Sequence, residues 1–346
     1  MSAPIDPEVR ARLLGLKLHA LVREHFGDME PDAQAGLSVG AASCHGDTAW
    51  VLIEERSERG LGVALAWAGR REVSTVHVLA PSHTGVLARR ASEFSTDVRV
   101  WEIDGIAMRA AVSAEHVVEP DPIAAHLSFV DTIRGSGADV VVEHGVVAGE
   151  VAGLEVCRVV TDAVTGAHRL EVGVGEHDRE AFAMLHGDTP TTASLERIVK
   201  VVAHHRSPGA NPHPLNRLGA ERALRARAID DPSIIGARSL RVAASATPRP
   251  NLKDPIPCVA LGESIDGAPL VAVFSTGIDL DVVPFAADAR SFHIDSSRSV
   301  GSDAELVIVV PERDASPVTA RMAASSASFR RSAGRAAWPA PLRRRG

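Results

Sequence analysis

The 346-residue sequence contains no tyrosine, three lysines and three cysteines. Without tyrosine, a tyrosine general base is excluded, and so few lysines leave no Walker motif and few candidates for Schiff-base chemistry. Cys44, Cys157 and Cys258 are too widely spaced for a zinc clip and odd in number, so no disulfide framework is expected. Such cysteine usage is typical of a reducing compartment. Arginine supplies nearly all of the 37 basic residues. This preference for arginine over lysine is typical of proteins encoded by GC-rich bacterial genomes.

Long apolar runs are also missing. No stretch approaches the roughly 18 uninterrupted apolar residues that a membrane span needs. The first fifteen residues, MSAPIDPEVRARLLG, contain acids and prolines and no signal-peptide pattern. We therefore expect a cytoplasmic protein without a membrane partner, and the 45% hydrophobic content predicts a globular chain with a sizeable core.

Positive charge is scarce except near the C-terminus. The formal net charge is −7, but Ser316–Gly346 contains seven arginines and no acid, so the rest of the chain carries −14. An acidic surface opposes non-specific binding of nucleic acid, because phosphate contacts need basic side chains. The arginine-rich segment could provide such contacts, and its Ala/Ser/Arg/Pro composition predicts disorder.

The patterns along the chain predict an α/β protein. Strands and helices alternate in the second half of the N-terminal region, which favours a mixed or parallel sheet there. Four regions are predicted: an N-terminal α/β domain at 1–118, a central αβββα domain with a helical extension at 119–232, a small α/β or mainly β domain at 233–317, and a disordered basic tail at 318–346.

The central region carries the most informative pattern. A helix is predicted over Pro122–Gly135, followed by strands at Val140–Val147, Leu154–Val160 and Leu170–Val174, and then a second helix. The two-residue period of a strand places Glu155 on one face of the second strand and Glu171 on one face of the third.

This order of elements resembles the core of the restriction-endonuclease-like superfamily, which includes tRNA-splicing-endonuclease-like domains. The resemblance implies an acid on the second strand and an acid-x-lysine on the third, holding one or two Mg²⁺ or Mn²⁺ ions that activate water and stabilise charge on phosphate. Glu155 and Glu171 would be the metal ligands and catalytic acids, and Gly173 stands at the lysine position. The expectation is a nucleic-acid-binding protein whose endonuclease-like core is degenerate or weakly metal-dependent.

Two further sets of residues fit parts of such a site. Asp47 with Glu54 and Arg56 repeats the acid pattern near the N-terminus, with arginine in place of lysine. His177 and Asp178 form the dipeptide of His-Asp phosphohydrolases, but those proteins are all-helical and this dipeptide follows a strand. Asp178 is also suited to capping a helix.

Other interpretations of the sequence remain open. Glu155 and Glu171 can be solvated residues on the outer face of an antiparallel sheet that pair with Arg158 or Arg169 across the strands. The protein can be a non-catalytic scaffold whose acidic surface binds protein partners. It can also be a nucleotide or small-molecule enzyme that uses the N-terminal sheet, with a pocket near Gly60 and Gly62.

Overall fold

A computed structural model describes residues 6–175, 178–179, 192–207, 209–211, 213–247, 256–296 and 301–329. Within these residues, eight α-helices and fourteen strands form three sheets, so the protein is α/β as the sequence predicts. The chain forms two compact units. The first unit comprises Met1–His116, Ile278–Phe292 and Ala315–Gly334, and the second comprises Val117–Gly277, His293–Asp314 and Arg335–Gly346.

The first unit contains a six-stranded sheet with strand order β1-β2-β3-β4-β5-β6. Strands β1 to β3 form an antiparallel meander, whereas β3, β4 and β5 run parallel. The elements are α1 (Pro7–Phe26), β1 (Ala33–Leu37), β2 (Gly40–His45), β3 (Thr48–Ile53), α2 (Leu61–Gly69), β4 (Thr75–Ala80), α3 (Thr84–Ala91), β5 (Asp97–Asp104) and β6 (Ala107–Ala110).

Helix α1 begins where Asp6 accepts hydrogen bonds from the free N–H groups of Glu8 and Val9. Its inner face, with Leu18 and Leu21, packs on the sheet around Trp50 and other apolar residues. Strand β1 includes the end of residues 27–35, whose polar sequence predicts a loop. The turn after β1 contains Ser38, the serine of a G-x-S-x-G sequence over residues 36–40. A nucleophile elbow with this sequence needs a helix after its serine, whereas strand β2 follows here.

The second unit contains a four-stranded antiparallel meander with strand order β10-β9-β8-β7. The sequence predicts one strand over Val140–Val147, and this prediction is wrong. His144 and Gly145 have φ angles of 51° and 75°, which turn the chain into a hairpin. The elements are α4 (Val130–Gly135), β7 (Asp139–Glu143), β8 (Val146–Val151), β9 (Leu154–Thr161), β10 (His168–Val172) and α5 (Thr192–Arg206).

A third sheet, also in the second unit, has strand order β11-β12-β13-β14, in which β14 runs parallel to β13. Arg225, on the preceding helix and 1% exposed, pairs with Glu143 of β7 at 2.6 Å, so the helix is ion-paired to the other sheet of this unit. The elements of this part are α6 (Ala220–Asp230), β11 (Ala237–Ala243), β12 (Cys258–Ser264), β13 (Pro269–Phe274) and β14 (Glu305–Val309). Between β13 and β14 the chain forms α7 (Val282–Ser296), which belongs to the first unit as far as Phe292.

One order of elements occurs twice along the chain. In both α1–β4 and α6–β14, a helix is followed by a three-stranded antiparallel meander, a helix, and a strand parallel to the third strand of the meander. The central region, by contrast, has four strands among its described residues between α4 and α5. The predicted order of a helix, three strands and a helix is therefore observed on either side of the central region.

The region predicted as a disordered tail begins with a helix, α8 (Pro317–Ser325). Ser316 caps it by accepting a hydrogen bond from the Val318 N–H, and Met322 is buried. Residues 330–346 lie outside the described part of the chain. None of the described helices is long and apolar enough to cross a membrane.

Candidate functional site

The two predicted metal ligands lie on adjacent strands of the central sheet. Glu155 is in β9 and Glu171 is in β10, directly opposite Arg158 of β9. Glu155 is only 4% exposed, so its carboxylate is shielded from water, whereas Glu171 is half-buried. A buried carboxylate needs partners of opposite charge, which the surrounding arginines provide.

Three guanidinium groups hold the two carboxylates. Arg158 donates to both oxygens of Glu155, from Nε at 3.0 Å and from Nη2 at 2.9 Å. Arg169 donates to Glu171 Oε1 at 3.0 Å. Arg179 lies between the two acids, with Nη1 3.0 Å from Glu155 Oε1 and Nε 3.5 Å from Glu171 Oε2. The structure thus brings the two predicted acids together around one guanidinium.

Gly173, at the lysine position of the motif, has no room for a side chain because neighbouring backbone lies too close. Gly173 has a φ of +143°, and a Cβ there would lie 2.9 Å from the backbone nitrogen of Arg179 and 3.0 Å from the Asp178 carboxylate. The Asp178 carboxylate accepts a hydrogen bond from the Val174 N–H at 2.7 Å, which closes the turn after β10. Arg179, seven residues after the end of β10, provides a positive charge beside the two acids. His177 lies outside the described residues.

Mg²⁺ or Mn²⁺ does not fit this arrangement. Both cations need carboxylate oxygens with free lone pairs, whereas each oxygen of Glu155 already accepts from a guanidinium. Three nearby positive charges would also repel a divalent cation. Across the described part of the chain, no group of three or more His, Cys, Asp or Glu side chains is arranged to hold a metal ion.

Asp47, Glu54 and Arg56 are not brought together. Asp47 lies in the turn before β3, where its carboxylate accepts hydrogen bonds from the Ser74 side chain and backbone, which lower the pKa of that carboxyl. Glu54 follows the other end of β3, about 20 Å away at the rise of an extended strand, and pairs with Lys17 at 2.9 Å. Arg56 has a left-handed φ of 50° and precedes a short 3₁₀ turn.

The region of Gly60 and Gly62 is not open to a nucleotide. A Cβ at Gly62 would lie 2.2 Å from the carbonyl oxygen of Leu280. The Gly62 N–H, at the start of α2, donates to the buried carboxylate of Asp281 at 2.7 Å. A side chain of the protein therefore takes the place at this helix N-terminus where a phosphate would bind.

One polar cluster was not predicted from the sequence. The Thr161 hydroxyl lies 2.8 Å from His126 Nε2 and 3.0 Å from His168 Nδ1. Burial, followed by the charge of His168, lowers the pKa of His126, whose Nδ1 has no partner among the described residues. A hydroxyl beside an imidazole is one part of a nucleophilic catalytic site, which also needs a group that orients the imidazole. Here no described residue bonds to His126 Nδ1, so that third group is not seen. The cluster joins residues 35 positions apart, so no local spacing could indicate it.

A cavity in the first unit was also not predicted. It lies between α1 and the β1–β2–β3 meander and has a volume of about 740 Å³. Its lining mixes apolar residues with polar and charged ones, the latter being Arg12, His19, Glu30, Gln34, Ser43 and His45. Trp50, which is 4% exposed, lines it, and the indole Nε1 of this residue has no hydrogen-bond partner among the described residues.

No protein-family model, curated protein or solved structure matches this chain.

Proposed function

We propose that this protein binds nucleic acid without cleaving it, on a degenerate core of the restriction-endonuclease-like kind. The observation that carries the proposal is Arg179, whose guanidinium contacts both Glu155 and Glu171. A guanidinium between two acids offsets their charge without a metal, which supports a core that has the two acids of the motif and lacks metal-dependent cleavage. Analogy of fold alone does not establish activity.

The two repeated orders of elements support the same conclusion. In the first, the second and third strands read GAASCH and TAWVLI and contain no acid. In the second, the third strand reads PLVAVF and contains none either. Neither repeat therefore has the acid-x-lysine strand that metal-dependent cleavage needs.

Contact with phosphate is assigned to the arginine-rich segment. The rest of the chain is acidic, so basic side chains near the C-terminus are the ones suited to a polyanion. The test compares the parent protein with two variants in which the last six arginines become glutamine or lysine. These residues are Arg330, Arg331, Arg335, Arg343, Arg344 and Arg345.

Binding to labelled tRNA, single-stranded DNA and duplex DNA would be measured between about 50 and 200 mM salt, where phosphate contacts dominate the salt dependence. We expect the parent and the lysine variant to bind with a steep salt dependence and the glutamine variant to lose both affinity and steepness. All three should leave the nucleic acid intact with Mg²⁺, with Mn²⁺ and with chelator.

Two results would contradict the proposal. Metal-dependent cleavage that disappears in Glu171→Ala would mean that the acids still hold a metal when substrate is present. Absence of binding by the parent at the lowest salt would exclude a nucleic-acid partner and leave the protein-binding scaffold as the function to test.

A further inference from the structure

Helix α1 is apolar on two opposite faces. Its inner face packs on the sheet of the first unit, where Leu18 and Leu21 are each 1% exposed. On its outer face, Val9, Leu13 and Leu16 are 51%, 53% and 58% exposed. A single exposed apolar side chain is ordinary, but a row of them along one helix marks an interaction surface.

This row is part of a regular stripe that runs from the N-cap of α1 to its last turn. Six exposed residues follow one another at intervals of three, four, three, four and three positions, which is the spacing of a coiled-coil seam. We call this set the α1 stripe, and its members are Asp6, Val9, Leu13, Leu16, Ala20 and Arg23. The α1 stripe is therefore acidic at its first position, apolar over the next four and basic at its last.

The apolar part of the α1 stripe is complementary to a second, antiparallel copy of itself. A two-fold axis through the middle of the stripe places Leu13 against the partner subunit's Leu16, and Val9 against the partner subunit's Ala20. Each of these contacts occurs twice, because the same surface is used on both subunits. Side chains in these layers pack between those of the facing helix, so the exposed apolar surface is removed from water.

The charges at the two ends select the antiparallel direction. In the antiparallel pair Asp6 faces the partner subunit's Arg23, so each end of the seam gains an ion pair. A parallel pair would place each of these charges against its own copy, which is repulsive. The antiparallel pair also brings the positive end of one helix dipole beside the negative end of the other.

Both end residues can make this contact. The Asp6 carboxylate caps α1 through Oδ1, which accepts hydrogen bonds from the Glu8 and Val9 N–H groups. Its other oxygen has no hydrogen-bond partner within the described part of the chain. Arg23 is exposed and likewise has no ion-pair partner there. The acid and the base at the ends of the α1 stripe are thus both available to a second chain.

The bases that flank the α1 stripe do not oppose the approach of a second copy. On one side, Arg10 pairs with Glu55 at 2.6 Å and Lys17 pairs with Glu54 at 2.9 Å. These four residues carry no net charge, so this flank of one copy does not repel the same flank of the other. On the other side Arg12 is exposed, and salt screens its charge.

We propose that two copies of this chain associate through antiparallel contact of their α1 stripes. The seam is about 25 Å long at the rise of an α-helix. A single helix pair of this length is a small interface, so we expect a reversible dimer with a Kd of about 10 µM.

Sedimentation equilibrium of the full chain from about 1 to 200 µM measures this association. We expect a monomer–dimer equilibrium in the parent. Leu13→Glu puts two buried charges in the middle of the seam and should raise the Kd by about a hundredfold or more. Val164→Glu is the matched control, because Val164 is 94% exposed and lies in the second unit, and it should leave the Kd unchanged.

Two charge reversals test the antiparallel pairing directly. Arg23→Glu places two acids together at each end of the seam, and Asp6→Arg places two bases together. Each variant alone should therefore associate about tenfold more weakly than the parent. In an equimolar mixture of the two variants every acid faces a base again, so a heterodimer should form about as tightly as the parent dimer. Circular dichroism confirms that each variant keeps its helices, since Asp6 also caps α1.

Three results would overturn the proposal: a parent that stays monomeric up to about 200 µM, a dimer that Leu13→Glu leaves intact, or a dimer that Val164→Glu weakens as strongly as Leu13→Glu does. A mixture of the two charge-reversed variants that stays monomeric would exclude the antiparallel pairing. Leu13 and Arg23 are exposed, so their replacement does not disturb the core. The samples contain no nucleic acid, so the outcome is independent of nucleic-acid binding.

Discussion

Arg179 holds acidic side chains from two neighbouring strands with a single guanidinium. Arg158 and Arg169 complete the charge balance, each pairing with the acid of its own strand. The sequence predicts that these arginines pair with solvated acids across the strands, whereas each arginine pairs within its own strand and Glu155 is buried. Arg179 could not be identified in this way, because it comes from the turn after β10, 24 residues after Glu155.

Arg179→Gln should destabilise the protein. Glu155 would keep its bonds from Arg158 but lose a charged donor in a buried place, which costs about 1–3 kcal/mol. Urea unfolding monitored by circular dichroism gives the change in the free energy of unfolding. Arg134→Gln, at a pair exposed by 67% and 97%, is the matched control and should change it by less than about 0.5 kcal/mol. A loss as small as that of the control would mean that Arg179 contributes nothing to the acid pair.

Restoring the motif lysine should fail for a steric reason. Gly173→Lys would place a Cβ 2.9 Å from backbone at a left-handed φ, which costs more than about 2 kcal/mol. Gly166→Lys is the matched control, because Gly166 also has a positive φ, +70°, but has no atom within 4 Å of an added Cβ. Its cost should be about 1 kcal/mol. If urea unfolding shows that both variants lose the same free energy of unfolding, the backbone at Gly173 can shift to accept a side chain and the steric explanation is wrong.

At the scale of elements, two buried carboxylates in Ile278–Phe292 bind helices of the first unit: Asp281 contacts the start of α2, and Asp288 contacts α3. Asp288 accepts from Arg89 Nε at 2.7 Å, from Arg90 Nε at 3.0 Å, and its Oδ1 lies 3.1 Å from His116 Nε2. Burial acts against ionisation, but these hydrogen bonds and charges outweigh it and hold the pKa of Asp288 well below its usual range. Asp281 differs, because burial outweighs its partners and raises its pKa to about 6.

Asp281 should make the protein less stable as the pH rises. Its pKa in the folded state, about 6, exceeds the value of 3.8 for a free carboxyl, so the folded state binds the proton more tightly. Stability from this group is therefore greatest below pH 4 and is lost as the pH rises to about 6, by an amount of order 2–3 kcal/mol. Asp281→Asn removes this dependence, so its stability relative to the parent should rise between pH 4 and pH 7.

Urea unfolding at pH 4, 5, 6 and 7 measures this difference. Asp131→Asn serves as the control because the Asp131 side chain is 97% exposed, and its difference from the parent should stay constant over this range. A constant difference for Asp281→Asn as well would show that the carboxyl titrates in its ordinary range.

Several elements follow directly from the sequence and others do not. The apolar spacing of α1 and the β-branched runs of β4 and β9 predict those elements. The turn at His144 and Gly145 was missed because valines on both sides suggest one continuous strand, and a histidine at positive φ is uncommon. Helix α8 was missed because its Ala/Ser-rich composition is also that of disordered segments, whereas the packing of Met322 supports a helix.

At the scale of the whole molecule, local patterns could not predict which segments form a unit. The first unit includes Ile278–Phe292 and Ala315–Gly334, although most of its chain ends at His116. The close approach of Gly62 to the Leu280 backbone shows why. Because backbone atoms make this contact, the only residue type that it requires is the glycine. The repeated order of elements likewise has no visible counterpart at a fixed period in the sequence.

The three cysteines provide a test that covers the whole molecule, because each sheet contains one. Cys44 is in β2, Cys157 in β9 and Cys258 in β12, and all three thiols are free and buried. Burial raises the pKa of Cys157 to about 12 and that of Cys258 to about 11, so neither is a thiolate at pH 8. Cys44 instead lines the cavity of the first unit, through which a reagent can approach it.

We therefore expect iodoacetamide at pH 8 to label Cys44 first under native conditions, and to label Cys157 and Cys258 only as their sheets unfold in urea. Mass spectrometry of peptides after increasing labelling times measures the three rates separately. Cys44→Ala should abolish the fast reaction. Labelling of Cys157 or Cys258 at the rate of Cys44 would show instead that those sheets open without denaturant, because a buried neutral thiol reacts only after it reaches solvent.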